Sequence, residues 1–135
     1  MAIFTATDYS LTIGGTDFSA VLVSAELTIE AEDVETTAMG DTYRTRVGGL
    51  KQASVTLELH QDFASSATDD TVFTALGTSV AIVLKPTSAA VGAGNPTYSF
   101  NALVTQTQPF NSSVGDLATM SITWPVDGAV TKATS

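Results

Sequence analysis

The chain has 135 residues, a formal net charge of −9 and no cysteine, which indicates one domain without disulfides or thiolate metal sites. Hydrophobic residues make up 44% of it, enough for a buried core, yet no apolar run approaches the roughly 18 residues of a membrane-spanning helix. The acidic balance disfavours binding to nucleic-acid phosphates. The first residues lack the basic segment of a secretory signal, so we expect none.

The first sixty residues are predicted to form a short hairpin and two long strands. The hairpin consists of Tyr9–Ile13 and Asp17–Val23 around a Gly14-Gly15-Thr16 turn. Alternation of apolar and polar residues then predicts strands over Val21–Ala31 and Gln52–His60, each with one buried and one exposed face. The alternation assigns two faces to the first strand. Its buried face consists of Val23, Ala25, Leu27 and Ile29, and its exposed face of Leu22, Glu26, Thr28 and Glu30. Thr56 and Glu58 lie on the exposed face of the second strand.

Between the two long strands, Glu32–Gly49 sustains neither a helical nor a strand period and is predicted to be a long irregular loop. Residues 1–41 hold eight acids and no base, whereas residues 42–51 hold three of the chain's five bases and no acid. These charges either pair within one chain or form a self-complementary surface, through which the basic limb of one copy meets the acidic limb of the next. The residues concerned are Glu32, Asp33, Glu35, Asp41, Arg44, Arg46 and Lys51.

The second half is predicted to contain one short helix and three further strands. Asp69-Asp70 opens the helix, because acids suit its positive end, and Gly77 closes it. Val80–Leu84 is an apolar strand covered on both faces, and Thr97–Val104 and Leu117–Trp124 show the alternation of half-buried strands. The predicted fold class is therefore mainly β, a sandwich or barrel of two packed sheets with one short flanking helix.

No catalytic, cofactor-binding or metal-binding residue is predicted, so we expect that the chain is not an enzyme and binds no cofactor. His60 and Asp62 could suggest a catalytic pair, but no nucleophile stands in a recognisable motif. The acids Asp62, Asp69 and Asp70 lack the alternating oxygen ligands of a calcium loop. The larger aromatics are expected in the core, whereas an exposed cluster of them would favour a sugar-binding surface; they are Phe63, Phe73, Phe100, Phe110 and Trp124.

One stretch carries a resemblance to a known family. It reads Asp33-Val34-Glu35-Thr36-Thr37, then Gly40-Asp41-Thr42, then Gly49-Leu50-Lys51, and ends at His60-Gln61-Asp62-Phe63. This pattern resembles the tail tube proteins, or major tail proteins, of long-tailed siphovirus-like bacteriophages. The order of elements that follows it is also similar, so the resemblance covers about residues 9–125.

The resemblance implies a structural virion protein: a single tail-tube-like β domain over residues 1–135 with short flexible termini. Copies would form hexameric rings that stack into a tube, with the long loop making inter-ring contacts. The exposed strand faces would line a negatively charged channel that DNA passes without specific binding.

Further partners implied are the tape measure, tail-tip and terminator proteins, without membrane insertion, in a virion assembled in the host cytoplasm. Two alternatives stay open. One is a monomeric β-sandwich binding module, either an adhesin or a carbohydrate-binding domain. The other is a different tail or injection-tube component, such as a tail terminator.

Overall fold

The computed structural model describes Thr5 and residues 7–65 and 67–134. The predicted flexible termini fall largely on residues 1–4, 6 and 135, outside this described part. Within it, the chain forms eight strands, one α-helix and one turn of 3-10 helix, which confirms the mainly β class. The elements are β1 (Ser10–Ile13), β2 (Thr16–Asp17), the 3-10 turn (Ser19–Val21), β3 (Leu22–Glu35), β4 (Arg46–His60), α1 (Thr68–Ala75), β5 (Ser79–Lys85), β6 (Thr97–Leu103), β7 (Thr119–Pro125) and β8 (Thr131–Ala133).

The strands form two antiparallel sheets, with orders β2-β1-β5-β6-β8 and β3-β4-β7. Their facing sides enclose a single apolar core, in which Leu57, Ile82, Met120 and Trp124 are fully buried. Both sheets are open in the described residues, since neither strand order returns to its first strand. The prediction of two packed sheets is therefore confirmed in its sandwich form.

The N-terminal hairpin forms around the predicted glycine turn. Gly14 and Gly15 adopt φ of 58° and 88°, a conformation that side-chain-bearing residues avoid. The second limb is shorter than predicted, because it ends at Asp17 and the 3-10 turn follows. Asp17 stabilises this turn by accepting bonds from the Ser19 amide at 2.8 Å and hydroxyl at 2.6 Å. The turn carries the chain from one sheet to the other.

A β-bulge at the start of β3 reverses two predicted burials. Leu22 pairs with Leu59 and Ser24 with Glu58, so Val23 is an extra residue on β3. The bulge turns Leu22 toward the core and leaves Val23 half exposed, the opposite of the predicted assignment. Beyond it, Leu27 packs against the core as predicted.

The predicted bounds of the long irregular loop are wrong. Strand β3 continues to Glu35 and β4 begins at Arg46, so only residues 36–45 connect the two strands. A backbone bond of 2.8 Å from the Thr36 amide to the Thr45 carbonyl even extends the ladder. The outer half of this hairpin lies beyond the core with both faces exposed, so its sequence has no buried face to alternate with.

The second half follows the predictions closely. Helix α1 contains Asp69 and Asp70 in its first turn, and Gly77 follows its C-cap with φ of 87°. Strand β5 is buried on one face only, because Ala81 on the other face is exposed. The three-residue β8, which pairs with β6, was not predicted.

Candidate assembly surfaces

The exposed face of the β3-β4-β7 sheet brings together all five predicted channel residues. The register aligns Glu26 with Thr56, and Thr56 in turn with Thr123. The side chains one position away, such as Leu27 and Val55, point to the opposite side and pack on the core. The remaining predicted residues, Thr28, Glu30 and Glu58, follow the same alternation onto the exposed face.

This face is acidic and otherwise uncharged. Its charged groups are the carboxylates of Glu26, Glu30 and Glu58, whereas Thr56 and Thr123 share a hydroxyl–hydroxyl hydrogen bond of 3.1 Å. Glu26 and Glu30 are four residues apart on one strand, about 13 Å, so a Debye length of about 8 Å screens their repulsion. No lysine or arginine side chain of the described residues belongs to this face within the sandwich. The surface therefore offers negative potential and hydroxyl groups.

Two arginines of the hairpin pair within the chain. Arg44 donates to Glu35 at 2.9 Å and Arg46 to Asp33 at 2.6 Å, and all four side chains are substantially exposed. Exposed pairs of this kind contribute about 0–1 kcal/mol each. The interpretation of pairing within one chain thus holds for both arginines, whereas contact with a neighbouring copy stays a prediction. The other predicted contact residues, Glu32, Asp41 and Lys51, form no ion pair among the described residues.

A second bulge in the hairpin requires a residue without a side chain. Between the pairs Ala31–Lys51 and Asp33–Gly48, β4 contains one residue more than β3. A Cβ atom at Gly49 would lie 3.1 Å from the Cβ of Glu32, closer than ordinary van der Waals contact. Gly49 therefore lets the two strands approach at this point.

The outer edge of β7 is occupied by the irregular segment 105–118. The Ser121 amide donates to Gln108 Oε1 at 3.2 Å, and the Thr119 amide donates to Ser112 Oγ at 3.3 Å. Side chains thus satisfy amides that face away from β4. Strand β3, at the other edge of the sheet, has no such partner in the described part of the chain.

An exposed aromatic cluster lies at the end of β4. The rings of Phe63 and Phe110 are 5.9 Å apart with an interplanar angle of 34°, and both are exposed. Gln61 bonds to the backbone next to this cluster. Its backbone N–H donates to Ala118 O at 2.9 Å, and its side-chain Nε2 donates to Pro109 O at 3.0 Å. The expectation that Phe63, Phe73 and Phe110 are core residues is wrong, whereas Phe100 and Trp124 are buried as expected.

The catalytic alternative for His60 and Asp62 finds no geometric support. Asp62 Oδ1 accepts the Ala64 amide at 2.9 Å, a local turn bond, and His60 Nδ1 is buried with no hydrogen-bond partner among the described residues. The described residues contain no cluster of three potential metal ligands. They also contain no helix of the length and hydropathy required to cross a membrane.

An open groove of about 380 Å³ lies between the sheets at the base of the hairpin. Its lining is apolar and aromatic, with Lys85 as the charged member. The lining contains no carboxylate, histidine, serine or threonine. The lining residues are Tyr9, Ala25, Leu27, Ile29, Leu84, Lys85, Pro86 and Tyr98.

No protein-family model and no curated protein matches the sequence. Solved structures do share its fold. A chain of the virion of a native gene transfer agent (GTA) particle is 15% identical, with a TM-score of 0.74 over 93% of this chain and 95% of that one. A chain of the tail of an empty GTA particle, obtained by helical refinement with C6 symmetry, is 16% identical, with a TM-score of 0.64 over 91% and 92%. The fold expected from the resemblance to tail tube proteins is therefore one that occurs in a virion and in its helical tail.

Proposed function

We propose that the chain is a structural tail protein that assembles into stacked rings and forms a tube for DNA delivery. The observation that carries this proposal is the fold shared over nine-tenths of the chain with a component of a C6-symmetric tail. Such a protein acts by repetition of contacts between copies, without chemistry. A ring of six copies is the form that this symmetry favours.

The β3-β4-β7 sheet suits such a ring because β3 and β7 are its edge strands, and neither pairs with a further strand of the described residues on its outer side. Strand β3 of one copy would lie beside β7 of the next and continue the sheet around the ring. Closing a ring removes free edges, which in an isolated sheet invite uncontrolled strand pairing. The segment 105–118 would give up its bonds to β7 as the neighbouring strand arrives.

In this ring the acidic face would line the channel. The carboxylates of Glu26, Glu30 and Glu58 would repel DNA phosphates, and Thr28 and Thr56 beside them add no cation that could bind a phosphate. A passing duplex would therefore find no favourable place to stop. This role follows from the charge of the face, and its inward orientation is part of the proposal.

The long hairpin would make the inter-ring contact. Its outer half lies beyond the core, where a second ring can meet it. Lys51 and Glu32 are free of ion pairs in the described residues, so they are available to groups of another copy. The side chains of the paired Arg44 and Arg46 are 75% and 51% exposed. Tape measure, tail-tip and terminator proteins would complete the tail, in a virion assembled in the host cytoplasm.

Size-exclusion chromatography with light scattering, followed by negative-stain microscopy, tests the proposal. We expect rings or tubes with sixfold end views once the protein is concentrated or nucleated by tail-tip components. A monomer at millimolar concentration, with no tubes under any nucleating condition, would contradict it.

A second candidate is a monomeric binding module, which the exposed Phe63–Phe110 pair favours, since aromatic faces stack on sugar rings. It predicts retention on a glycan array that Phe110→Ala abolishes. The first candidate predicts no such retention.

A further inference from the structure

The groove of about 380 Å³ between the two sheets has an apolar floor that is continuous with the core. Alternate residues of β3 form this floor: Ala25 and Leu27 pack against the core, whereas Ile29 is 49% exposed. Leu84 on β5 and Tyr98 on β6 line the groove from the other sheet. An apolar group that fills such a groove is removed from water and stabilises the fold.

The N-terminal end of the described chain is anchored at the rim of this groove. Asp8 Oδ2 accepts the Ser88 amide at 3.1 Å and the Ser88 hydroxyl at 2.8 Å. The next residue, Tyr9, lines the groove itself. A second open groove, of about 540 Å³, is also lined by Tyr9 and Ala25 and extends back to Thr7. The two grooves therefore adjoin, and together they lead from Thr7 to the apolar floor.

The segment that precedes Thr7 has a suitable composition and length for this floor. Residues 1–7 contain no charged side chain, and residues 1–4, which lie outside the described part, read Met-Ala-Ile-Phe. Thr5 is exposed, and in an extended segment the side chain of Phe4 points to the opposite side. The five residues from Phe4 to Tyr9 span up to about 17 Å. The floor extends over four residues of β3, about 13 Å, so Phe4 can reach all of it.

We propose that the N-terminal segment of the same chain covers this groove, with Phe4 packed between Ile29 and Tyr98. A phenylalanine buried there removes about 150–250 Å² of surface from water. The short tether to Asp8 gives the ring an effective concentration on the order of millimolar, which favours the chain's own segment over that of a second copy in micromolar protein. The N-terminus is then docked, in contrast to the short flexible terminus that the resemblance implies.

The absence of cysteine from the sequence makes intramolecular crosslinking a direct test. The variant Phe4→Cys/Ile29→Cys is oxidised at micromolar concentration, and its products are followed by non-reducing gel and by alkylation of the remaining thiols. We expect a disulfide within the monomer that forms several-fold faster than in Phe4→Cys/Val47→Cys. Val47 is a matched control because it is 54% exposed, as Ile29 is 49%, but lies on the outer half of the hairpin. A crosslinked dimer instead of a crosslinked monomer would overturn the inference, since the segment would then come from a second copy.

Urea unfolding tests the packing of the ring without added cysteines. Phe4→Ser should lower the unfolding midpoint by about 1 M, because the burial of the ring is lost. Thr5→Ser, at the exposed neighbour, should leave the midpoint unchanged. The effect of Phe4→Ser should shrink in an Ile29→Ser background and persist in a Val47→Ser background, because only residues in contact are coupled. A midpoint of Phe4→Ser equal to that of the wild type would overturn the inference. Both tests use the free chain, so neither result bears on the tube proposal.

Discussion

Asp33 and Arg46 form a 2.6 Å ion pair across the outer half of the hairpin. The pair is diagonal, because in the strand register Asp33 lies opposite Gly48 and Arg46 lies opposite Glu35. The pair lies where the strands are exposed on both faces, so it holds the hairpin register with little help from packing. It also removes part of the positive charge that a neighbouring copy would meet. Its two roles can be separated by experiment.

We predict that Arg46→Glu slows tube growth strongly, while the free energy of unfolding of the free chain changes by less than about 1 kcal/mol, because the pair is exposed. Growth is measured by light scattering and stability by urea unfolding. The charge-swapped double variant Asp33→Arg/Arg46→Asp is the control, since it restores the pair within the chain. Growth restored by the swap would show that Arg46 acts within its own copy and would contradict a contact with the next.

Gly49→Ala is predicted to disturb the hairpin, because its Cβ would lie 3.1 Å from the Cβ of Glu32 and 3.3 Å from Val34 Cγ2. To admit the methyl group, the neighbouring strand must shift by a few tenths of an ångström. We expect faster amide exchange over residues 30–52 and slower tube growth. Gly48→Ala is the matched control, since a Cβ there meets nothing within 4 Å. Equal exchange in the two variants would refute the packing argument.

Replacing Glu26, Glu30 and Glu58 by lysine should convert the acidic face into one that holds DNA. Each lysine adds one cation that can neutralise a phosphate, so retention of DNA by tubes should fall steeply as salt is raised. The matched variant carries glutamine at the same three positions and should retain no DNA. Tubes of the lysine variant that form normally and release DNA at the wild-type rate would mean that this face is not the channel wall.

The titration of Asp17 should contribute to the pH dependence of the free energy of unfolding. Hydrogen bonds from the Ser19 hydroxyl and amide lower the pKa of Asp17, against a smaller opposing effect of burial. Because the pKa of the folded state is depressed, its contribution to stability is present above the unfolded value of about 3.9 and is lost as pH falls through the folded pKa. Solvent screening of this exposed carboxylate keeps the contribution well below about 1 kcal/mol.

Urea unfolding at pH 6 and pH 3 measures this effect. The wild type should exceed Asp17→Asn in stability at pH 6, and the difference should shrink at pH 3. Asp116→Asn, which removes an exposed carboxylate without such hydrogen bonds, should show no comparable change. If the difference in stability between the wild type and Asp17→Asn is the same at both pH values, titration of Asp17 is ruled out as its cause.

The elements that pack on the core were predictable because burial imposes a period on the sequence. The inner half of β4 and all of β7 bury every second residue, and Gly77 marks the end of α1. The outer half of the hairpin buries neither face, so polar residues occupy both and the strand signal disappears. The bulge at Val23 could not be predicted from the alternation of apolar and polar residues. It is seen only in the strand register, in which Leu22 pairs with Leu59.

The candidate surfaces were predictable to different degrees. Period 2 placed Glu26 and Thr56 on one face, and the register of β3 with β4 brings them side by side. The acidic partners of Arg44 and Arg46 could be identified only from the structure of the hairpin, because the sequence contains several acids nearby. The Phe63–Phe110 contact joins residues on two irregular segments, where no periodicity exists to relate them.

The side-chain bonds along the outer edge of β7 have a consequence for how fast a ring of the proposed kind closes. Gln108 and Ser112 supply the oxygens that the Ser121 and Thr119 amides would otherwise seek from a neighbouring strand. An incoming β3 therefore exchanges one set of hydrogen bonds for another, and the balance for these groups is close to neutral. In the free chain this competition would oppose random strand pairing at the β7 edge. Lateral growth then depends on the apolar area that a correctly placed neighbour buries, so the edge discriminates between a matching copy and an arbitrary strand.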